Sequence, residues 1–197
     1  MLIWINGPFG GGKTVTAFEL RRRLPGSVVC DPEHVGFGLH RMLPPSLRGD
    51  FQDLPVWRIA VLDLLRRTLT AFDGPVIVPM TLADSGYFRE IVGGLRDDGF
   101  DVHHFALLAE LTTMARRLNR RGVLKRDTWA FDRLGYCLRE LSKPEFAVHV
   151  QTDRLTVARV ADAIAAAAGL ELAPSTGGPG RAWLRQTGTS LRHIRFD

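Results

Sequence analysis

Residues 2–14, LIWINGPFGGGKT, constrain the fold more than any other stretch of this chain. The apolar run Leu2-Ile3-Trp4-Ile5 ends abruptly in Asn6-Gly7, and its shortness favours a buried strand over a helix. Gly7, Pro8, Phe9, Gly10, Gly11, Gly12, Lys13 and Thr14 then satisfy G-x-x-x-x-G-K-[ST] in full, and a helix is expected over residues 15–24. Strand, glycine loop and helix in this order form a phosphate cradle. Glycines let successive N–H groups turn towards an anion, and the helix start adds the positive end of its dipole. Lys13 would reach the β and γ phosphates of a nucleotide such as ATP, and the Thr14 hydroxyl would complete the shell of a bound Mg²⁺.

A chain of 197 residues with 45% hydrophobic content suits one α/β domain. It contains no run of eighteen apolar residues, and Met1 leads straight into the first strand, so a cytoplasmic protein is expected. Two cysteines, Cys30 and Cys137, are too few for a disulfide framework and lack metal spacing. The net charge of +5 raises the question of a polyanionic partner. No basic surface interleaved with aromatics and no recognition motif accompanies that charge, so nucleic acid is not expected as a partner.

Further along, Val28-Val29-Cys30 reads as a second strand with Asp31 and Glu33 just beyond its C-terminal end, where open α/β sheets place ligands. Asp31 there could take a proton from a substrate hydroxyl or could simply start an Asp-Pro turn. Residues 36–54, rich in Gly, Pro and polar residues, read as a substrate loop or lid that includes Gln52 and Asp53. Pro55 opens a helix to Phe72, with Val56, Ile59, Ala60, Leu62, Leu64, Leu65 and Leu69 as its apolar positions. Trp57 and Arg58 in its first turn could stack on and ion-pair with a substrate, or be a core tryptophan and a solvated arginine.

Residues 76–81, VIVPMT, suit a buried parallel strand but do not end in the acid usual for a P-loop protein; Asp84 is the weaker substitute for Asp31 in that role. A helix over 85–98, a strand over 100–109 containing His103 and His104, and an arginine-rich helix from Glu110 to Gly122 follow. Arg117 and Arg121 share one face of that helix, and Arg116 and Arg120 share another. The face is either solvated or belongs to a lid over 110–127 that water surrounds at rest and that closes on the γ-phosphoryl group. A helix over 128–141, a strand over 146–150 and a helix over 154–168 complete residues 1–172. The predicted fold is a P-loop α/β three-layer sandwich, a five-stranded parallel sheet with helices on both faces. Residues 173–197 form a basic tail with a flexible start.

The stretches WINGPFGGGKT, DFQDLPVWR, VPMT, RLNRRG and HVQTDRLTVARV together resemble tunicamycin resistance proteins of the nucleotide-kinase-like class, and more loosely chloramphenicol phosphotransferases. The similarity touches most of residues 1–172. It implies ATP with Mg²⁺ on Lys13 and Thr14, Arg117 and Arg121 in the lid, and Asp31 as catalytic base. It also implies a nucleoside antibiotic or related hydroxyl compound as substrate, bound near Glu33, Gln52, Asp53, Trp57 and Arg58. Phosphorylation of that compound, or its ATP-dependent sequestration without chemistry, would both confer resistance. Family members are further linked to the inner membrane surface through an amphipathic C-terminal part; here Gly177, Gly178, Pro179, Gly180 and Gly188 interrupt any long helix.

Overall fold

Alternation along the strands decides which layer each helix occupies. The computed structural model describes residues 1–120 and 128–175, apart from the side chains of 120 and 128–132. In β1 (Leu2–Asn6), Leu2 and Trp4 point into one core and Ile3 and Ile5 into the other, as the period of two requires. The first core takes α3 (Pro55–Ala71), the helical segment 85–97 and α7 (Thr128–Leu141); the second takes α1 (Lys13–Arg23) and α8 (Val157–Ala167). β2 (Val28–Val29), β3 (Val76–Pro79), β4 (Val102–Leu108) and β5 (His149–Gln151) complete a parallel sheet of order β2-β3-β1-β4-β5. β1 is thus central, and the loop that follows it opens at the carboxyl edge of the sheet.

Three expectations change. Residues 36–54 are not a plain loop: α2 (Glu33–Met42) occupies their first part, and 3₁₀ turns at Pro45–Leu47 and Phe51–Asp53 the rest. Gly36 lies within the helix and is glycine there because a Cβ would come within 2.5 Å of the Phe51 ring. In α3, the buried stripe is Trp57, Val61 and Leu65, while Val56, Ile59 and Leu64 are exposed. The Trp57 indole donates to the Pro32 carbonyl at 3.1 Å, which fixes the rotation of that helix and turns the shorter apolar side chains outward. Phe146 belongs to a 3₁₀ turn, Pro144–Phe146, so β5 starts three residues later than expected; the Phe146 ring is wholly buried beside Phe88. Residues 85–97 are helical as expected, with a π turn at Arg89–Gly93 between α4 (Ser85–Phe88) and α5 (Gly94–Asp97). Among the described residues no helix is long and apolar enough to cross a membrane. Most of the tail, residues 176–197, lies outside the described residues.

His104 in β4 is buried in the first core, with Phe88 and Phe146 against its ring. Its Nδ1 is 3.3 Å from the Ala147 carbonyl and so must carry the hydrogen, which makes Nε2 an acceptor for the Asn6 amide at 3.2 Å. Burial, with smaller effects from Arg96 and His149, pushes its pKa down to about 4 despite the Ala147 bond. As pH falls below about 6.5, the unfolded chain takes up this proton while the folded chain does not. The group therefore subtracts stability progressively between pH 6.5 and 4, by about 3 kcal/mol at most. Urea midpoints of wild type and His104→Gln at pH 7 and pH 4.5 should show a smaller loss in the variant; equal losses would exclude His104 as the source.

Candidate nucleotide and acceptor site

The glycine loop has the geometry of a phosphate cradle before any ligand is considered. Gly10 and Gly12 have φ near +79° and +87°, conformations that side chains disfavour. A Cβ at Gly7 would meet the Leu107 carbonyl at 2.8 Å, so the loop lies tightly against β4. α1 begins at Lys13 behind Gly12 with no side-chain cap, which leaves its first N–H groups to whatever occupies the loop. These features fit a nucleotide phosphate, with Lys13 and Thr14 as the residues that would hold the phosphates and Mg²⁺. Lys13 is nearly buried; its ammonium donates to the Pro8 carbonyl at 3.2 Å and lies 5.7 Å from the Phe9 ring.

The base of the loop is held by residues outside the G-x-x-x-x-G-K-[ST] pattern. Asn6 Oδ1 accepts from the Gly7 and Leu82 N–H groups at 2.8 and 2.9 Å, and its amide donates to the Leu82 carbonyl at 2.8 Å. Thr81 donates to the Gly7 carbonyl at 2.8 Å. The ends of β1 and β3 are therefore tied to one loop by buried polar bonds, which are strong because little water competes for them.

Beside the loop opens a cleft of about 120 Å³ whose walls include Phe9, Thr81 and Cys137. Its polar rim comes from three separate segments: Asp50, Gln52 and Asp53; Asp84 and Tyr87; Arg133 and Tyr136. The Cys137 thiol, raised by burial, feels the charges of Lys13, Arg133 and Asp50, so the phosphate-loop lysine and the cleft are electrostatic neighbours. Gln52 and Asp53 are among these lining residues. Asp84 is already a candidate acid in the sequence, whereas Asp50, Tyr87, Arg133 and Tyr136 come from elements far apart in the chain; the helix-capping pattern of Asp50 is the available hint.

Other expected site residues are placed differently. Asp31 lies half-buried just past β2, with Oδ1 accepting from the Glu33 N–H at 3.0 Å, and neither Asp31 nor Glu33 lines the cleft. Trp57 has no exposed surface and cannot stack on a ligand; it is a core residue because its indole is locked under Pro32. Arg58 is neither solvated nor directed at the cleft. It pairs with Glu90 at 2.6 Å, donates to the Gln52 carbonyl at 2.5 Å and covers the Tyr87 ring at 4.2 Å, so it braces the cleft wall.

α6 (Leu111–Arg120) packs onto the loop through Met114 and Leu118, which would crowd a Cβ at Gly10. Arg117 is not solvated at rest, contrary to expectation. It donates to Thr152 Oγ1 at 3.0 Å and to the Thr152 carbonyl at 2.8 Å, and its burial lowers its pKa. The inward turn of this helix face explains the difference, since Arg116 one residue earlier is exposed. Arg121 and the rest of the lid, residues 121–127, lie outside the described residues. Arg117→Ala should therefore cost about 1–3 kcal/mol, the scale of hydrogen bonds to a charged group, whereas Arg116→Ala should stay within about ±0.5 kcal/mol. Urea denaturation of both variants measures the difference, and equal midpoints would remove the Thr152 anchor.

A family model described as AAA domain matches residues 2–135. The solved tunicamycin resistance protein of Deinococcus radiodurans is 39% identical and superposes with a TM-score of 0.74 over 88% of this chain and 98% of that one. A gluconokinase from Sinorhizobium meliloti 1021 (15% identity, TM-score 0.61, 85% and 90% of the two chains) shares the fold. So does an APS kinase from Mycobacterium tuberculosis, solved with AMPPNP and APS (18% identity, TM-score 0.51, 83% and 94%). No curated protein matches. The cradle at Gly7 to Thr14, the β2-β3-β1-β4-β5 sheet and the identity over nearly the whole relative agree: this chain belongs to the AAA domain family of P-loop, kinase-like proteins, alongside the tunicamycin resistance protein.

Proposed function

We propose that this protein is an ATP-dependent phosphotransferase that phosphorylates a hydroxyl of a small molecule, with a nucleoside antibiotic such as tunicamycin as the first candidate. The observation that carries this reading is the polar cleft whose wall includes Phe9 of the glycine loop and whose Cys137 lies within the field of Lys13. In this reading Lys13 and the loop N–H groups hold the β and γ phosphates of ATP, and Thr14 holds Mg²⁺, which supplies charge neutralisation. The cleft orients the acceptor so that its hydroxyl oxygen bonds to the γ-phosphorus as the bond to the bridging oxygen breaks and ADP departs. Asp31 is the proposed acceptor of the hydroxyl proton, and Arg117 and Arg121 the proposed guanidinium partners of the developing charge.

Incubation of the full chain with ATP, Mg²⁺ and tunicamycin should yield a product heavier by one phosphoryl group in mass spectrometry. Absence of such a product with tunicamycin and with other nucleosides would count against transfer. A second reading, ATP-dependent sequestration without chemistry, draws on the placement of Asp31, whose carboxylate caps its own turn and does not line the cleft. Resistance in cells that survives Asp31→Ala but not Lys13→Ala would favour sequestration.

A further inference from the structure

The charges around the cleft select among acceptors. Three carboxylates, Asp50, Asp53 and Asp84, face it against the guanidinium of Arg133. Arg133 already pairs with Asp50 at 2.9 Å, and Asp50 also accepts from the Gln52 N–H at 3.0 Å, so this pair is internally neutralised. Arg58, a second cation near the wall, is held by Glu90 and the Gln52 carbonyl, and Lys13 is taken up by the nucleotide phosphates in the proposed reading. Among the described lining residues the remaining charge is negative and is centred on Tyr87. Its hydroxyl donates to Asp53 Oδ1 at 3.0 Å, and its backbone N–H donates to Asp84 Oδ1 at 2.9 Å. Each of these two carboxylates thus spends one oxygen on Tyr87.

We propose that the Asp53–Tyr87–Asp84 group makes the cleft an electrostatic filter that accepts uncharged or cationic hydroxyl- and amine-bearing acceptors and rejects phosphorylated or carboxylated ones. Carboxylates accept hydrogen bonds and cannot donate them, so hydroxyl and ammonium groups are their natural partners. An anionic group placed there would meet like charge with no uncommitted guanidinium among the described residues of the cleft to receive it, a mismatch that discriminates strongly between ligands. Burial and the Asp53 bond both raise the Tyr87 pKa, which keeps the phenol protonated and bridging. The inference rests on the proposed reading of this cleft as the acceptor site.

The test is a binding measurement, so it can fail separately from phosphoryl transfer. The full chain, saturated with AMPPNP and Mg²⁺ so that the glycine loop is filled, is titrated calorimetrically with uridine against uridine 5′-monophosphate. The second pair is glucosamine against glucosamine 6-phosphate. The unphosphorylated member of each pair should bind at least ~10-fold more tightly. In the Asp53→Asn/Asp84→Asn double variant the preference should shrink to less than ~3-fold, because the amides keep the shape and the cap at Tyr87 but lose the charge. Asp53→Asn alone, which leaves the α4 cap untouched, should give an intermediate ratio if the double variant fails to fold. A phosphorylated probe that binds as tightly as its partner, a ratio unchanged by the substitutions, or no binding by either unphosphorylated probe would overturn the filter. A kinase for anionic acceptors would fail this test yet still transfer phosphate; a sequestering protein would pass it without doing so.

Discussion

Lys13→Ala should lower turnover by about 10²–10³-fold, the scale of removing one preorganised electrostatic partner from a transferring phosphoryl group. The ammonium is nearly buried, and its resting contacts include the Pro8 carbonyl and the Phe9 ring of the loop. Its loss should leave both hydrophobic cores intact and the urea midpoint close to that of wild type. The glycine conformations are set by backbone and by Leu107, Met114 and Leu118, so the cradle should survive the substitution. Calorimetry with AMPPNP and steady-state kinetics, run beside circular dichroism, separate the two effects. A variant that folds normally and retains wild-type affinity and turnover would show that the loop is not the phosphate site.

For Asp31→Asn we expect turnover to fall by about 10²-fold or more, the usual scale for a lost general base, with AMPPNP affinity within about twofold. The substitution is clean because asparagine retains an oxygen to accept from the Glu33 N–H, so the entry to α2 should persist while basicity disappears. The matched control is Asp84→Asn, which likewise keeps its cap on the Tyr87 N–H. Asp84 lines the cleft and Asp31 does not. If Asp31→Asn turns over at the wild-type rate while Asp84→Asn loses about 10²-fold, the base sits at the end of β3 rather than β2, and the acid missing from the VIVPMT run is supplied three residues later.

Local features were legible because their causes are local. The loop from Gly7 to Thr14 needs a strand before it, glycines within it and a helix after it, and all three are contiguous in the chain. Gln52 and Asp53 came into view as part of the DFQDLPVWR stretch that runs into the helix opened by Pro55. The same local reasoning failed for residues 36–54, since Gly36 meets its reason for being glycine in the Phe51 ring fifteen residues away. Apolar periodicity in α3 allowed more than one buried stripe, and the bond from Trp57 to Pro32 selected one. No pattern in the sequence assigns a role to Asn6, Thr81 or His104; their importance comes from strands that the sheet brings side by side.

By itself, then, the sequence determined the alternation of strands and helices, the parallel sheet they imply and the phosphate loop behind the first strand. Each follows from residue spacing over a few turns of chain. Tertiary structure decided the strand order, the burial of Arg117 against Thr152, the bracing role of Arg58 and the meeting of Asp50, Asp84, Tyr87 and Arg133 around one cleft. A polar side chain's role depends on which partner and how much water it faces, and those are set only when segments distant in sequence pack together.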